Sequence, residues 1–325
     1  MKIVFLTEYS KVIGFGHISR CLSLADALVL KGYSITFLVR EWDDEPLALK
    51  YPTEKVEWEK PDQLQKYVSR DNMLIFDTYL VEKGKLTELS SPFQRVVSIA
   101  DSRLNFAEKG VVLFANPYAP DFSNNSEHLG FKILNGPEYL LYRSEFWQMP
   151  KNRPDVKSEI KKVLICLGGH VNKEMLRITV ASLQEVLKDI EIIVLGHLDD
   201  SFNNAVKAIG FLQPSELISE YLQADLVVSN GGQTLNEVIL AGIPVVGIAV
   251  AENQKRNLQF WMEARVIVAW SEIDSSNYQN EFKRSVHKMK DASLREHMAY
   301  KGKLMVDALG AQRAVDKILK NFCEI

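Results

Sequence analysis

Short apolar runs alternate with longer segments of helical periodicity along almost the whole chain. IVFLTE (residues 3–8) is a continuous apolar run that predicts a buried strand. HISRCLSLADALVLKGY follows it, with Ile18, Cys21, Leu22, Ala25, Leu28 and Val29 spaced along one helix face. Gly32 stands at the C-cap position of that helix, and SITFLVR (34–40) predicts the next strand. The chain thus begins with a β-α-β unit, whose crossover is expected to be right-handed. Further strands are predicted at 73–77, 95–101, 111–116 and 131–135, with a polar helix near 61–70.

A second β-α series begins at KVLICLGG (162–169). It continues with a helix over 173–188, strand 191–196, a helix over 214–223, strand 224–232, a helix, strand 244–250, another helix and strand 265–270. Helices are expected from about 277 to the end. MPKNRPDVKSEIKK (149–162) carries two prolines and clustered charges without apolar periodicity, so it reads as a linker. The expected fold class is α/β, with two Rossmann-like doubly wound parallel-sheet domains, residues 1–150 and 151–325. In such arrangements the final helices can cross back to the first domain. The default ligand site is a cleft facing the carboxyl ends of both sheets.

The length of 325 residues agrees with two cores rather than one. Hydrophobic residues make up 46% and charged ones 25%, the balance of a globular protein. With 39 basic and 42 acidic residues well mixed, the footprint of a nucleic-acid binder is missing. Three scattered cysteines, Cys21, Cys166 and Cys323, fit neither a disulfide framework nor a zinc site, and a reducing cytoplasm is expected. MKIVFLTEYS lacks the pattern of a signal peptide or a membrane span. A monomer is compatible with the pattern.

The chemistry concentrates where strands give way to helices. In SNGGQTLNEVILAGIP (229–244) a strand ends at Ser229, Gly231 and Gly232 allow a sharp turn, and a helix starts near Gln233. The unpaired N–H groups and positive dipole end of such a helix suit a phosphate. Thr234 adds a hydroxyl to that anion site, and Glu237, one turn on, is placed to accept from a ribose diol. The alternative is an ordinary β-α turn whose glycines serve packing. AVAENQKRNLQFW (249–261) brings Glu252, Asn253 and Gln254 to the next helix start, so the pair of helix starts suits a diphosphate bearing a sugar. There is no GxxxxGK[ST] and no Asp-x-Asp triplet, which excludes a P-loop and argues against a carboxylate-held metal. No metal or cofactor is expected.

In GFGHISR (14–20), Gly14 and Gly16 let the loop approach a ligand. His17 sits at a positive dipole end, which disfavours a charged ring and leaves a nitrogen able to take a proton from water. Capping the helix is its alternative role. Arg20 can meet a phosphate or carboxylate, or lie in a surface salt bridge. FDTY (76–79) places Asp77 to orient the imidazole or to cap the next helix, and Tyr79 to touch a sugar ring. Asp101 carries the same ambiguity as Asp77. His170 follows LGG at the mouth of the second domain. His197, Asp199 and Asp200 read as a solvated loop rather than a metal cluster.

Taken in order, GFGHISRCLSLA, FDTY, IADS, NGPEYLLYRSEF, LGG and the stretch from IGFLQPSEL to AENQKRN resemble the nucleotide-sugar hydrolases of pseudaminic acid biosynthesis, relatives of the MurG-type glycosyltransferases. The resemblance runs from about residue 1 to 312. It implies a GT-B fold and metal-free removal of UDP from UDP-2,4-diacetamido-2,4,6-trideoxy-β-L-altrose by water. It makes His17 the general base, places Tyr79 and Asn253 near the reacting sugar, and makes Glu237 the ribose ligand. It also puts Gly231, Gly232 and Thr234 on the diphosphate loop, counts Gly169 of LGG among the substrate-binding residues, and has the 209–212 loop, with Phe211 and Leu212, read the base. The chain departs from the family pattern at His170 and Val171, where serine and aspartate are frequent, and at Thr78, where histidine is. A glycosyltransferase with a hydroxyl acceptor and a non-catalytic nucleotide-sugar binder are the competing expectations.

Overall fold

The apolar runs at the start of the chain become the middle strands of a parallel sheet. In the computed structural model, which describes residues 1–9, 16–40, 49–57, 60–101, 106–118, 130–168, 172–196, 206–210 and 212–323, the chain divides into two compact units. One comprises Met1–Ser144 and Leu309–Ile325, the other Glu145–Ala308.

The first unit contains strands β1 (Lys2–Glu8), β2 (Ser34–Arg40), β3 (Thr53–Lys55), β4 (Met73–Asp77), β5 (Arg95–Ala100), β6 (Gly110–Phe114) and β7 (Phe131–Leu134). They lie in the order β3-β2-β1-β4-β5-β6-β7, and every neighbouring pair is parallel. β1 and β4 are buried on both faces, as parallel strands covered by helices must be. Leu6 pairs in register with Leu38 on one side and Phe76 on the other. Helix α1 (Gly16–Leu30) follows β1, and α2 (Pro61–Gln65) and α3 (Lys83–Ser90) flank β4.

The second unit contains β8 (Lys162–Cys166), α4 (Lys173–Val186), β9 (Glu191–Leu195), β10 (Val206–Ile209), α5 (Pro214–Gln223), β11 (Leu226–Asn230), α6 (Gln233–Ala241), β12 (Val245–Ala249), α7 (Glu252–Glu263), β13 (Trp270–Glu272), α8 (Tyr278–Lys288) and α9 (Ala292–Met305). Its sheet order is β10-β9-β8-β11-β12-β13, again parallel throughout. Val163, Ile165, Ile192, Val228 and Ile248 from the sheet share one core with Leu183, Phe282 and Val286 from the helices.

The last helix, α10 (Gly310–Cys323), belongs to the first unit. Its buried Ala311, Ala314, Val315, Ile318 and Phe322 recur at helical spacing and form the stripe that packs towards α1. A Cβ at Gly310 would stand 2.1 Å from the Leu140 carbonyl oxygen, so only glycine lets the helix start so close to that backbone.

The strand expected over 265–270 forms only at its end, as β13. The Trp261 carbonyl at the close of α7 accepts from the N–H of Val266 and of Ile267, at 2.9 and 3.2 Å. The two residues satisfy their apolar character by burial under the helix end rather than by joining the sheet. The stretch read as a linker is fastened down: Arg153 donates to the carbonyls of Leu240, Lys303 and Val306, and Arg295 to those of Lys157 and Ser158.

Candidate active site

In the first unit the strand order reverses between β1 and β4, and in doubly wound sheets the carboxyl ends of the strands at such a reversal form a binding crevice. Glu8 closes β1, Asp77 closes β4, Asp101 follows β5, and His17 and Arg20 lie on the first turns of α1. These side chains meet in one cluster. His17 Nδ1 lies 2.5 Å from Asp77 Oδ1. Arg20 donates through Nε to Asp77 Oδ2 at 2.9 Å, through Nη2 to Asp77 Oδ1 at 2.8 Å, and through Nη1 to Asp101 Oδ1 at 2.5 Å. Asp77 makes no helix cap; the N-cap of α3 is Glu82, without a side-chain cap bond.

The electrostatics follow from this geometry. Burial opposes the charge on Asp77, yet Arg20 and His17 outweigh it and pull the carboxyl below the usual range. Burial likewise opposes the Arg20 charge, and Asp101 and Asp77 overcome it to hold the guanidinium's pKa above its ordinary value. An ionised Asp77 accepts hydrogen bonds only, so the Nδ1 that faces it carries the proton. In the neutral ring Nε2 then holds the lone pair. Nε2 is buried and has no hydrogen-bond partner among the described residues. The Tyr79 ring stands edge-on to His17, with centroids 4.2 Å apart, and its hydroxyl donates to Asp101. About half of Tyr79 is exposed. Glu8 is not among the residues the sequence singles out, although, like Asp77, it is a carboxylate that ends an apolar strand.

In the second unit the order reverses between β8 and β11, so the turn from β11 to α6 stands at the corresponding place. The N–H groups of both glycines are held internally. Gly231 donates to Gln254 Oε1 at 3.2 Å and Gly232 to Asn230 Oδ1 at 3.1 Å. Gln254 Oε1 also accepts from Val250 N–H at 3.1 Å, and Asn257 Nδ2 donates to the Gly231 carbonyl at 2.8 Å. A Cβ on Gly231 would stand 2.8 Å from both the Gln254 carbonyl oxygen and Leu258 Cγ. Gly231 therefore lets α7 pack against the turn, and Gly231→Ala is expected to lower stability by about 1–3 kcal/mol, readable by denaturant unfolding.

Thr234 lies partly buried in the first turn of α6, where backbone N–H groups have no intrahelical acceptor. Glu237 is only 3% exposed and accepts from the Tyr221 hydroxyl at 3.4 Å. Glu252 and Asn253 are exposed at the start of α7, Glu252 paired with Lys255 at 2.6 Å, and Leu212 is partly buried just before α5. Gly16 is the exposed first residue of α1. Gly14, Gly169, His170, His197, Asp199, Asp200 and Phe211 lie outside the described residues. Among the described residues no group of three or more His, Cys, Asp or Glu side chains is arranged to hold a metal ion, and no helix is long and apolar enough to cross a membrane.

No protein-family model matches the chain. An uncharacterized protein of Methanocaldococcus jannaschii is 27% identical over 285 residues, 78% of this chain and 57% of that protein. The UDP-2,4-diacetamido-2,4,6-trideoxy-beta-L-altropyranose hydrolase of Campylobacter jejuni is 29% identical over 175 residues, 52% of this chain and 61% of the hydrolase. The chain thus spans about six-tenths of the length of these curated relatives. Among solved structures, Acinetobacter baumannii MurG matches with a TM-score of 0.66 at 14% identity, over 98% of this chain and all of that one. The UDP complex of Staphylococcus aureus MnaA gives 0.66 at 12%, over 100% and 98%. Medicago truncatula UGT71G1 with UDP-glucose gives 0.62 at 12%, over 98% of each. With its two Rossmann-like units of parallel sheet, the chain has the GT-B fold.

Proposed function

We propose that this chain is a metal-independent nucleotide-sugar hydrolase that releases UDP from UDP-2,4-diacetamido-2,4,6-trideoxy-β-L-altrose or a close relative. The observation that carries the reading is the His17–Asp77 pair at the strand reversal of the first unit, with an Nε2 lone pair uncommitted to any described group. Likeness to the Campylobacter jejuni hydrolase supports the substrate class. His17 Nε2 takes a proton from water as the water oxygen bonds to the anomeric carbon. The bond from that carbon to the diphosphate oxygen breaks, and UDP leaves with the electron pair. Direct attack inverts the anomeric centre. The proton on Nε2 is then lost to solvent, restoring the neutral ring.

In the second unit the first turns of α6 and α7, with the Thr234 hydroxyl, stabilise the charge that develops on the leaving diphosphate, and Gly231 and Gly232 shape the turn that lets the anion approach. Thr234→Val is expected to weaken UDP binding about ten- to a hundred-fold, the worth of one hydrogen bond to a charged group, as read by calorimetry. The family resemblance assigns Tyr79 and Asn253 to the sugar and residues 209–212 to the base.

A transferase reading rests on the fold shared with MurG and the plant enzyme. In it His17 deprotonates a hydroxyl acceptor instead of water. The two are separated by incubating the chain with the UDP-sugar and EDTA, without acceptor. Release of UDP at an EDTA-insensitive rate is expected. Bound but intact nucleotide sugar would favour the transferase.

A further inference from the structure

The cluster around His17 holds a second carboxylate that the chemistry above leaves unused. Glu8, at the carboxyl end of β1, is fully buried. Its Oε1 lies 3.9 Å from His17 Nε2, the nitrogen opposite the one that Asp77 engages. Glu8 is itself held rigidly: the Thr78 hydroxyl donates to Oε2, and the Tyr79 N–H donates to Oε1 at 2.5 Å. The Thr78 hydroxyl also accepts from Leu80 N–H at 3.1 Å, so the turn after β4 is built around this carboxylate. A buried carboxylate is costly to keep unless it is hydrogen-bonded or paired, and the donors from Thr78 and Tyr79 hold this one in place.

We propose that Glu8 is a positioning residue for the His17 base, bracketing the imidazole with Asp77 so that the imidazolium formed at Nε2 meets a fixed negative charge. The proposal rests on His17 acting as the base. Before proton transfer Glu8 accepts from Thr78 and Tyr79 and faces the uncommitted Nε2. As the water proton arrives on Nε2, the ring becomes cationic between two carboxylates, and Coulomb attraction across 3.9 Å in a dry site lowers the energy of that state. The same contact aligns the ring plane, and through the Tyr79 N–H it seats the phenol edge-on against His17.

The charged and titratable groups of the cluster around this ring come from several elements. Glu8 comes from β1, Arg20 and the buried Cys21 thiol from α1, and Asp77 from β4; Tyr79 comes from the turn beyond β4, and Asp101 from the end of β5. Asp77 is largely neutralised by the two donors of Arg20. Among the described residues Glu8 is paired with no such cation, and its charge faces the ring nitrogen that Asp77 does not engage. Burial raises the Glu8 carboxyl above its usual range, against the lowering by Thr78 and His17. Because the folded state then favours the protonated form, ionised Glu8 costs stability at neutral pH, and a neutral replacement relieves that cost.

The test is histidine NMR on the full chain. His17 is assigned among the six histidines by the signal that disappears in His17→Ala, then titrated in the wild type and in Glu8→Gln. The midpoint of His17 is expected to fall by about one pH unit in Glu8→Gln, the effect of removing one nearby opposite charge. The acid limb of kcat is expected to move the same way, kcat at its plateau to fall about ten-fold, KM to stay unchanged, and Tm at pH 7.5 to hold or rise. Glu8→Asp, which keeps the charge, is expected to retain most of the midpoint. An unmoved His17 midpoint, or a moved midpoint with unchanged plateau kcat, overturns the proposal; a lowered Tm with an unmoved midpoint leaves Glu8 a purely structural role. The NMR arm needs no turnover. A shifted midpoint in a chain that releases no UDP sustains the Glu8–His17 pairing while the hydrolase reading fails.

Discussion

His17→Ala is expected to lower kcat by about a thousand-fold while leaving KM for the UDP-sugar within a factor of about three. General base catalysis by a positioned side chain contributes on the order of 10²–10⁴ in rate, and a well-oriented histidine whose other nitrogen is fixed by a carboxylate belongs in the upper half of that range. KM stays because the residues proposed to hold UDP, Gly231, Gly232 and Thr234, belong to the other unit. The effect on folding is smaller. Truncating the ring leaves Asp77 paired with Arg20 through two donors, so no buried charge is orphaned. A folded His17→Ala protein that turns over near the wild-type rate removes the histidine from the mechanism.

Asp77→Ala is expected to be the most damaging single change to the first unit, in stability and in rate together. Asp77 is 1% exposed and Arg20 9%, and the two share two hydrogen bonds. Removing the carboxylate leaves the guanidinium with Asp101 alone, and breaking a buried ion pair by deleting one partner costs about 3–5 kcal/mol. His17 also loses the acceptor that fixes its tautomer. The pH dependence has a definite sign. Because the folded-state carboxyl lies below its unfolded value, its stabilisation is fully present above about pH 4, the unfolded value, and is lost as pH falls through the folded one. The gap in unfolding free energy between wild type and Asp77→Ala is therefore expected to be full at pH 7 and to close in strong acid. A gap that is constant from pH 7 to pH 2 contradicts the ion pair as its source.

The parallel sheets are legible because their strands are buried on both faces, so β1 and β4 appear as continuous apolar runs, β2 and β5 as runs broken only by Thr36 and Ser98, and the intervening helices by their period. β3 was invisible for the opposite reason. Thr53–Lys55 is a short, polar edge strand, with no apolar face to announce it. α3 escaped because Leu86 and Leu89 are its only buried apolar side chains. The run at 265–270 misled because burial, and not pairing, is what its apolar residues obtain.

At the site, the sequence marks polar residues at strand ends and helix starts, which is why His17, Arg20 and Asp77 stood out one by one. It does not carry the bonds among them, because Asp77 lies 60 residues from His17 and 57 from Arg20, and only the sheet order brings them together. Glu8 shows the limit most clearly. Its meaning comes from Thr78 and Tyr79 in the turn beyond the neighbouring strand β4, which no local pattern ties to it. Gly231 and Gln254 are read as ligand-binding residues from their type and position, and the structure adds a bond between them, 23 residues apart in sequence, that braces α7 against the turn.

The central claim is that water attacks the anomeric carbon, and oxygen isotope labelling tests it most directly. The chain would be incubated with UDP-2,4-diacetamido-2,4,6-trideoxy-β-L-altrose in ¹⁸O-enriched water, with EDTA and without acceptor, and the released UDP weighed by mass spectrometry. Attack at carbon predicts rapid release of UDP free of the label, since its phosphate oxygens never exchange with the attacking water. Label in a phosphate oxygen would mean that water attacks phosphorus, and failure to release UDP without an acceptor would mean that water is not the nucleophile; either result contradicts the account.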